Sequence, residues 1–154
     1  MRAMIGDAEE SWRAANFRLG IRVYYEDTDA GRVVYYANYL KFMERARTEW
    51  LRAMGLEQTA LVRDHGIVFV VRSARVDYLR PARFNDWLQV SVEPTELGGS
   101  RMAFAQQVRR PREGQEDELL ARAEVTIACV QAEAFRPVKI PEAVRATIAR
   151  SRLP

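Results

Sequence analysis

The chain has 154 residues, 48% hydrophobic and 29% charged, which fits one globular domain with one core and leaves little room for a second. Cys129 has no second cysteine to pair with and His65 is the only histidine, so the common structural zinc modules are excluded and no metal is predicted. Its 24 basic and 21 acidic residues give a net charge of +3, and their interspersion argues for a solvated surface and against a nucleic-acid face.

From the N-terminus, Met1 to Ala15 carries Asp7, Glu9 and Glu10 where a signal peptide would carry an apolar run. No stretch approaches the ~20 apolar residues of a membrane span, and together with the cysteine count this points to a cytoplasmic protein. Phe17, Leu19, Ile21, Val23 and Tyr25 then alternate with Arg18, Gly20, Arg22 and Tyr24, the pattern of a half-buried strand. The segment Glu26-Asp27-Thr28-Asp29-Ala30-Gly31 breaks that period with turn-forming residues. From Asn38 the period lengthens: Tyr39, Met43, Ala46, Trp50 and Ala53/Met54 recur at three- and four-residue steps, which predicts an amphipathic helix from Asn38 to Met54. Asn38 is placed to cap its start and Gly55 to end it in the left-handed conformation.

A polar connection through His65 leads to four further strands. The first holds the apolar run Ile67 to Val71 followed by Ala74, Val76 and Tyr78. The second, around Leu88, Val90 and Val92, is joined through the hairpin-type pair Gly98-Gly99 to the third, around Met102, Phe104 and Val108. After the turn-rich Arg110 to Gln115 the last strand puts Ala121, Ala123, Val125, Ile127 and Cys129 on one face. Pro137 and Pro141 end the sheet, and a short helix from Pro141 to Arg150 closes the chain. This order lacks the βαβα alternation of a parallel doubly wound sheet. It describes an α+β fold in which an antiparallel sheet curls around one long helix.

The chemistry on offer is narrow. There is no G-x-S-x-G elbow, no Walker loop and no G-x-G-x-x-G. A histidine-based triad could use only His65, which reads as a turn residue, and Cys129 reads as a core or interface filler within a strand. Carboxylates remain, and the densest polar cluster beside apolar structure is Glu26 to Asp29, just before the long helix. An acid there lies near helix N-terminal amides that can hold an anion or a developing oxyanion. On composition alone, an acidic turn leading into a helix cap is the commoner origin of such a string.

Three strings occur in order here: Val23-Tyr-Tyr-Glu-Asp-Thr-Asp-Ala-Gly31, Val33-Val-Tyr-Tyr-Ala-Asn-Tyr39 and Phe42-Met-Glu-Arg-Ala-Arg-Thr-Glu49. With Phe69-Val-Val-Arg72 and the Tyr78-x-x-Pro81-Ala82-Arg83-Phe84-x-Asp86 turn, the chain resembles the Tol-Pal-associated acyl-CoA thioesterases over roughly residues 20 to 132. These belong to the hydroxybenzoyl-CoA thioesterase family of hot-dog proteins. The resemblance implies a hot-dog fold, a five-stranded antiparallel sheet wrapped around one long helix with a short C-terminal helix, in one domain over 1–154 with its core at about 17–135. It implies hydrolysis of an acyl-CoA or acyl-ACP substrate without a cofactor, coenzyme A being part of the substrate. Homodimers joined edge to edge, or homotetramers, with active sites at the dimer interface, are the family's assemblies.

Carried over residue by residue, the second acid of D-x-D is Asp29, the nucleophile or general base. Tyr25 matches a tyrosine near that acid. Tyr36 stands where the branch usually has His and hydroxybenzoyl-CoA thioesterases have Tyr. The helix start, Tyr36 to Asn38, offers oxyanion donors, and Asn38, Val70, Val71 and Arg72 fall at substrate-binding positions. Arg72, Arg75, Arg80 and Arg83 are candidates for the coenzyme A phosphates. Arg32 departs from the branch, which usually has a second Gly there. The alternative on the same fold is a non-catalytic acyl-binding module, which would not require Asp29.

Overall fold

The computed structural model describes residues 2–151, with side chains from residue 7 onward; residue 1 and residues 152–154, the ends of the expected domain, lie outside it. Five strands form one sheet in the order β1-β3-β4-β5-β2: β1 (Phe17–Arg22), β2 (Ile67–Tyr78), β3 (Trp87–Leu97), β4 (Arg101–Arg110) and β5 (Glu118–Gln131). Every pairing is antiparallel. The alternation read from the sequence sets the faces: Val90, Val92, Phe104, Val108, Val125 and Ile127 are all buried against helix α2 (Asn38–Ala53). From that helix Phe42, Met43 and Ala46 are wholly buried, and each large apolar side chain so enclosed contributes about 1.5–3 kcal/mol. Cys129 lies on the same inner face with no exposure, and burial pushes its thiol up.

Several expectations are corrected. Asn38 does not cap α2: it is the first helical residue, after Ala37, and its side-chain amide donates to the carbonyl of Asp27 at 2.8 Å where a cap would accept. The far end of the helix is as expected, with Gly55 at φ 82°, although Ala53 is exposed and Arg47, on the apolar side, is buried. The strand predicted to run through Tyr25 stops at Arg22. Tyr25–Asp27 form a 3-10 turn, so Tyr25 is 80% exposed where alternation had put it inside.

Two helices carry no signal in the sequence reading. The connection before β2 contains α3 (Gln58–His65), ended by the left-handed Gly66; with Leu61 as its buried residue it is too short and polar to show a period. Helix α1 (Arg2–Ala14) lies on the outer face of β3 and β4. Its Ala8 and Trp12 are buried, Arg109 pairs with Glu9 at 3.0 Å, and the Arg18 and Arg109 guanidinium groups sit 3.8 and 4.7 Å from the Trp12 ring centre. The C-terminal helix α4 (Glu142–Ser151) starts one residue after Pro141.

Candidate active site

The loop between β1 and α2 is a small, closed structure. In the Tyr25–Asp27 turn, Asp27 Oδ2 accepts the Tyr24 amide at 2.8 Å and the Thr28 hydroxyl donates to the Tyr25 carbonyl at 2.8 Å. Thr28 then bridges Val34, the Asp29 amide donates to the Val33 carbonyl at 3.0 Å and the Arg32 amide to the Asp29 carbonyl at 2.9 Å. The result is a hairpin with Asp29 at its neck. Gly31 makes a close approach: its amide donates to Asp29 Oδ1 at 2.8 Å, and a β-carbon there would stand 3.1 Å from that oxygen, which would have to yield by a few tenths of an ångström. Arg32 adopts φ 64°, a left-handed conformation that costs a residue with a β-carbon about 1 kcal/mol.

The segment joining β2 to β3 holds this hairpin from outside. Val34 donates to the Ala82 carbonyl at 2.9 Å, Val33 pairs with Arg83, and the Asn85 amide donates to the Val23 carbonyl at 3.0 Å. That segment is itself fixed, because Asp86 Oδ2 accepts both the Arg83 amide at 2.8 Å and the Arg110 guanidinium at 2.6 Å. From the helix side, the Tyr39 hydroxyl accepts the Ala82 amide at 2.9 Å. The P-A-R-x-x-D turn and the D-x-D-A-G loop, 52 residues apart between Asp29 and Pro81 (81 − 29), are thus two halves of one scaffold.

Asp29 is exposed, and with Oδ1 on Gly31 its Oδ2 has no hydrogen-bond partner among the described residues. The amides of Tyr36 and Ala37, at the entry to α2, likewise have no acceptor among the described residues. They are helix-start N–H groups carrying partial positive charge. The third amide of the expected donor set is taken: Asn38 N donates to the Tyr35 carbonyl at 2.8 Å. Tyr36 is 60% exposed, and its ring stands 4.7 Å from that of Tyr35 and 6.1 Å from that of Tyr78. A hydrogen bond with Tyr36 holds the Tyr35 phenol up, and the negative charge of Asp29 adds to that. Tyr35, which the sequence did not single out, thus feels both Tyr36 and the charge of Asp29.

The remaining predicted residues are more scattered. Tyr25 packs edge-on against Phe84 at 5.6 Å and has no hydrogen bond to Asp29 among the described residues. Val70 pairs with Ala128 on the outer face of the sheet, whereas Val71 pairs with Ile127 on the inner face. A bulge between Val71 and Ser73 contains Arg72, so these three do not share one surface. Val71 lines a cavity of about 90 Å³ with Trp50, Leu51, Phe69 and Phe104. Arg75 falls in an outer-face groove beside Asp7 and Glu124, and Arg80 stands 3.9 Å from Glu118.

Residues 23–148 match the Thioesterase-like superfamily. The chain belongs to it. Among the relatives of this Thioesterase-like chain, the acyl-CoA thioesterase YbgC of Haemophilus influenzae is 42% identical over 130 residues, 84% of this chain and 92% of that protein. The structure of a probable thioesterase from Bartonella henselae superposes with a TM-score of 0.71 at 34% identity, covering 80% of this chain and 98% of the other. A 4-hydroxybenzoyl-CoA thioesterase variant complexed with 4-hydroxybenzoyl-CoA gives 0.79 at 20% identity, over 84% and 96% of the two chains, which shows the common fold. The architecture of this Thioesterase-like chain is the expected hot dog, and thioester hydrolysis is its reaction class. Among the described residues no helix is long and apolar enough to cross a membrane.

Proposed function

We propose that the chain hydrolyses acyl-CoA to the free acid and coenzyme A, with Asp29 as the reacting carboxylate. Acyl carrier protein is the second carrier to test. The observation that carries this reading is the open Oδ2 of Asp29 at the neck of a hairpin that leads into two unaccepted helix-start amides. A thioester carbonyl oxygen lying on the Tyr36 and Ala37 amides has its developing charge stabilised there. Its carbon is then open to attack. Either Asp29 Oδ2 attacks, the C–S bond breaks, and water hydrolyses the resulting anhydride; or Oδ2 takes a proton from a water whose oxygen attacks. Both routes release a thiol, protonated from solvent, and a carboxylate, and neither needs an imidazole. The test is release of free thiol across a panel of acyl-CoAs and acyl-ACPs; no turnover with any of them would leave a binding module as the reading.

Tyr36 supplies a phenol where a base is absent. Tyr36→Phe is expected to retain measurable activity but lose about ten- to a hundredfold, at or below the roughly 10²–10³ that removal of a main oxyanion donor costs, since the two backbone amides remain. Equal rates for the variant and the parent on every acyl-CoA would reduce Tyr36 to packing at the helix start. Tyr36→His tests the branch difference, and a gain towards short acyl groups would make this position a selector of substrate.

We also propose that two copies join through β2. That strand runs for 12 residues, pairs on one side with β5, and ends at the exposed Tyr78, followed by the exposed Leu79; a long free edge invites a second strand. The opposite edge, β1, has 6 residues and exposed arginines at 18 and 22. Light scattering should give a mass at least twice 17.7 kDa. A monomer that stays fully active at nanomolar concentration contradicts this. Coenzyme A esters are metabolites of the cytoplasm, which is where the proposal places the enzyme.

A further inference from the structure

We infer that Arg32 and Arg83 together form a clamp for the phosphates of the coenzyme A moiety, an inference that rests on the acyl-CoA reading above. Arg32 occupies a left-handed position, φ 64°, in the hairpin that carries Asp29. Glycine adopts that conformation without strain, so the chain keeps an unfavourable backbone geometry for a residue whose only advantage over glycine is its side chain. Strain held beside a reacting group points to use.

The second arginine is brought in by the fold. Asp29 donates to the Val33 carbonyl, and Val33 pairs with Arg83; two such steps of about 5 Å put the Arg83 backbone roughly 10 Å from Asp29. The pantetheine arm has the backbone length of about four residues, roughly 13 Å when extended. With the thioester at Asp29, the diphosphate arrives within reach of side chains projecting from Arg32 and Arg83.

Charge pairing separates these two from their neighbours. Arg110 is held by Asp86 and Glu118, and Arg80 and Arg112 stand 3.9 and 3.8 Å from Glu118. Arg22 donates to the Asn85 carbonyl at 2.6 Å. Arg32 and Arg83 are exposed and have no ion pair among the described residues. The nearby Asp27 and Asp86 carboxylates are already accepting from Tyr24 and from Arg83 and Arg110. Beside Arg83 the exposed Tyr25–Phe84 pair presents aromatic faces of the kind on which a purine stacks.

The experiment compares two substrates with the same acyl group, one on coenzyme A and one on N-acetylcysteamine, which keeps the thioester and lacks every phosphate. Arg32→Gly, Arg83→Gln and the double variant are assayed with the parent, with melting temperatures recorded. The preference for the coenzyme A ester, as a ratio of kcat/KM values, should fall about tenfold in each single variant and about a hundredfold in the double one, through KM. Added salt should shrink the difference. An unchanged ratio, whether because both substrates suffer equally or neither does, overturns the clamp. A parent enzyme that cleaves the N-acetylcysteamine ester but no faster on coenzyme A removes the clamp alone; one that cleaves no thioester removes the function reading itself.

Discussion

Asp29→Asn should lower turnover by about a hundredfold or more and leave the melting temperature unchanged. The substitution is close to isosteric, and the remaining carbonyl oxygen can still accept the Gly31 amide that Asp29 Oδ1 accepts at 2.8 Å. The hairpin therefore survives. What is lost is the free oxygen: an amide nitrogen in its place can neither attack a carbonyl nor take a proton from water. Asp27→Asn is the internal control, because the Asp27 carboxylate has a structural task, accepting the Tyr24 amide, which an Asn carbonyl can also perform. Thiol release and thermal unfolding measured on the same preparations decide the matter. Near-normal turnover in Asp29→Asn makes Asp29 a turn residue; a larger loss in Asp27→Asn moves the chemistry to Asp27.

The largest expected loss of stability comes from Gln106→Leu, deep between α2 and the sheet. Arg47 is 8% exposed and its guanidinium donates to Gln106 Oε1 at 2.8 Å, while Gln106 Nε2 donates to the carbonyls of Met43 at 3.1 Å and Ser91 at 3.2 Å. Burial pulls the Arg47 pKa down and Glu44 partly restores it. Leucine fills the space but removes the acceptor of a buried cation, which costs about 3 kcal/mol and lowers the melting temperature by roughly 6–12 °C in a chain of this size. Arg47→Met added to Gln106→Leu should recover most of that loss, because the cation goes with its partner. A double variant as unstable as Gln106→Leu alone would mean that the cost lies in packing.

What the sequence made legible was whatever repeats. Alternation in β1, β3, β4 and β5 and the three-to-four spacing of Tyr39, Met43, Ala46 and Trp50 come from one buried face, and one buried face leaves a period. Helix α1 left no such period, because it packs on the outside of the sheet through few side chains, Ala8 and Trp12, among polar neighbours. Other features depend on a partner distant in the chain and leave no local trace. Asn38 looks like a cap until the Asp27 carbonyl takes its side-chain amide; Arg47 looks solvated until Gln106 appears beside it. A bulge is still less visible: the one at Arg72 interrupts the register only after Val71, while Val70 and Val71 fall on opposite faces by simple alternation within a run that reads as uniform. For the site, the motif located Asp29 and the helix start and the sequence offered Arg83 as one of four arginines, while the place of Arg83 beside the hairpin came from its pairing with Val33 across the fold.

Cys129 makes the molecule its own reporter. Because the chain's one thiol is wholly enclosed and burial disfavours its thiolate, a chromogenic disulfide added to the folded enzyme finds no protein sulfur to react with. Colour formed during turnover is then released coenzyme A alone, with no protein background to subtract. Left without substrate, the same reagent becomes a clock: one equivalent of colour per chain appears only as fast as the core around Cys129 opens, so the idle enzyme dates its own opening.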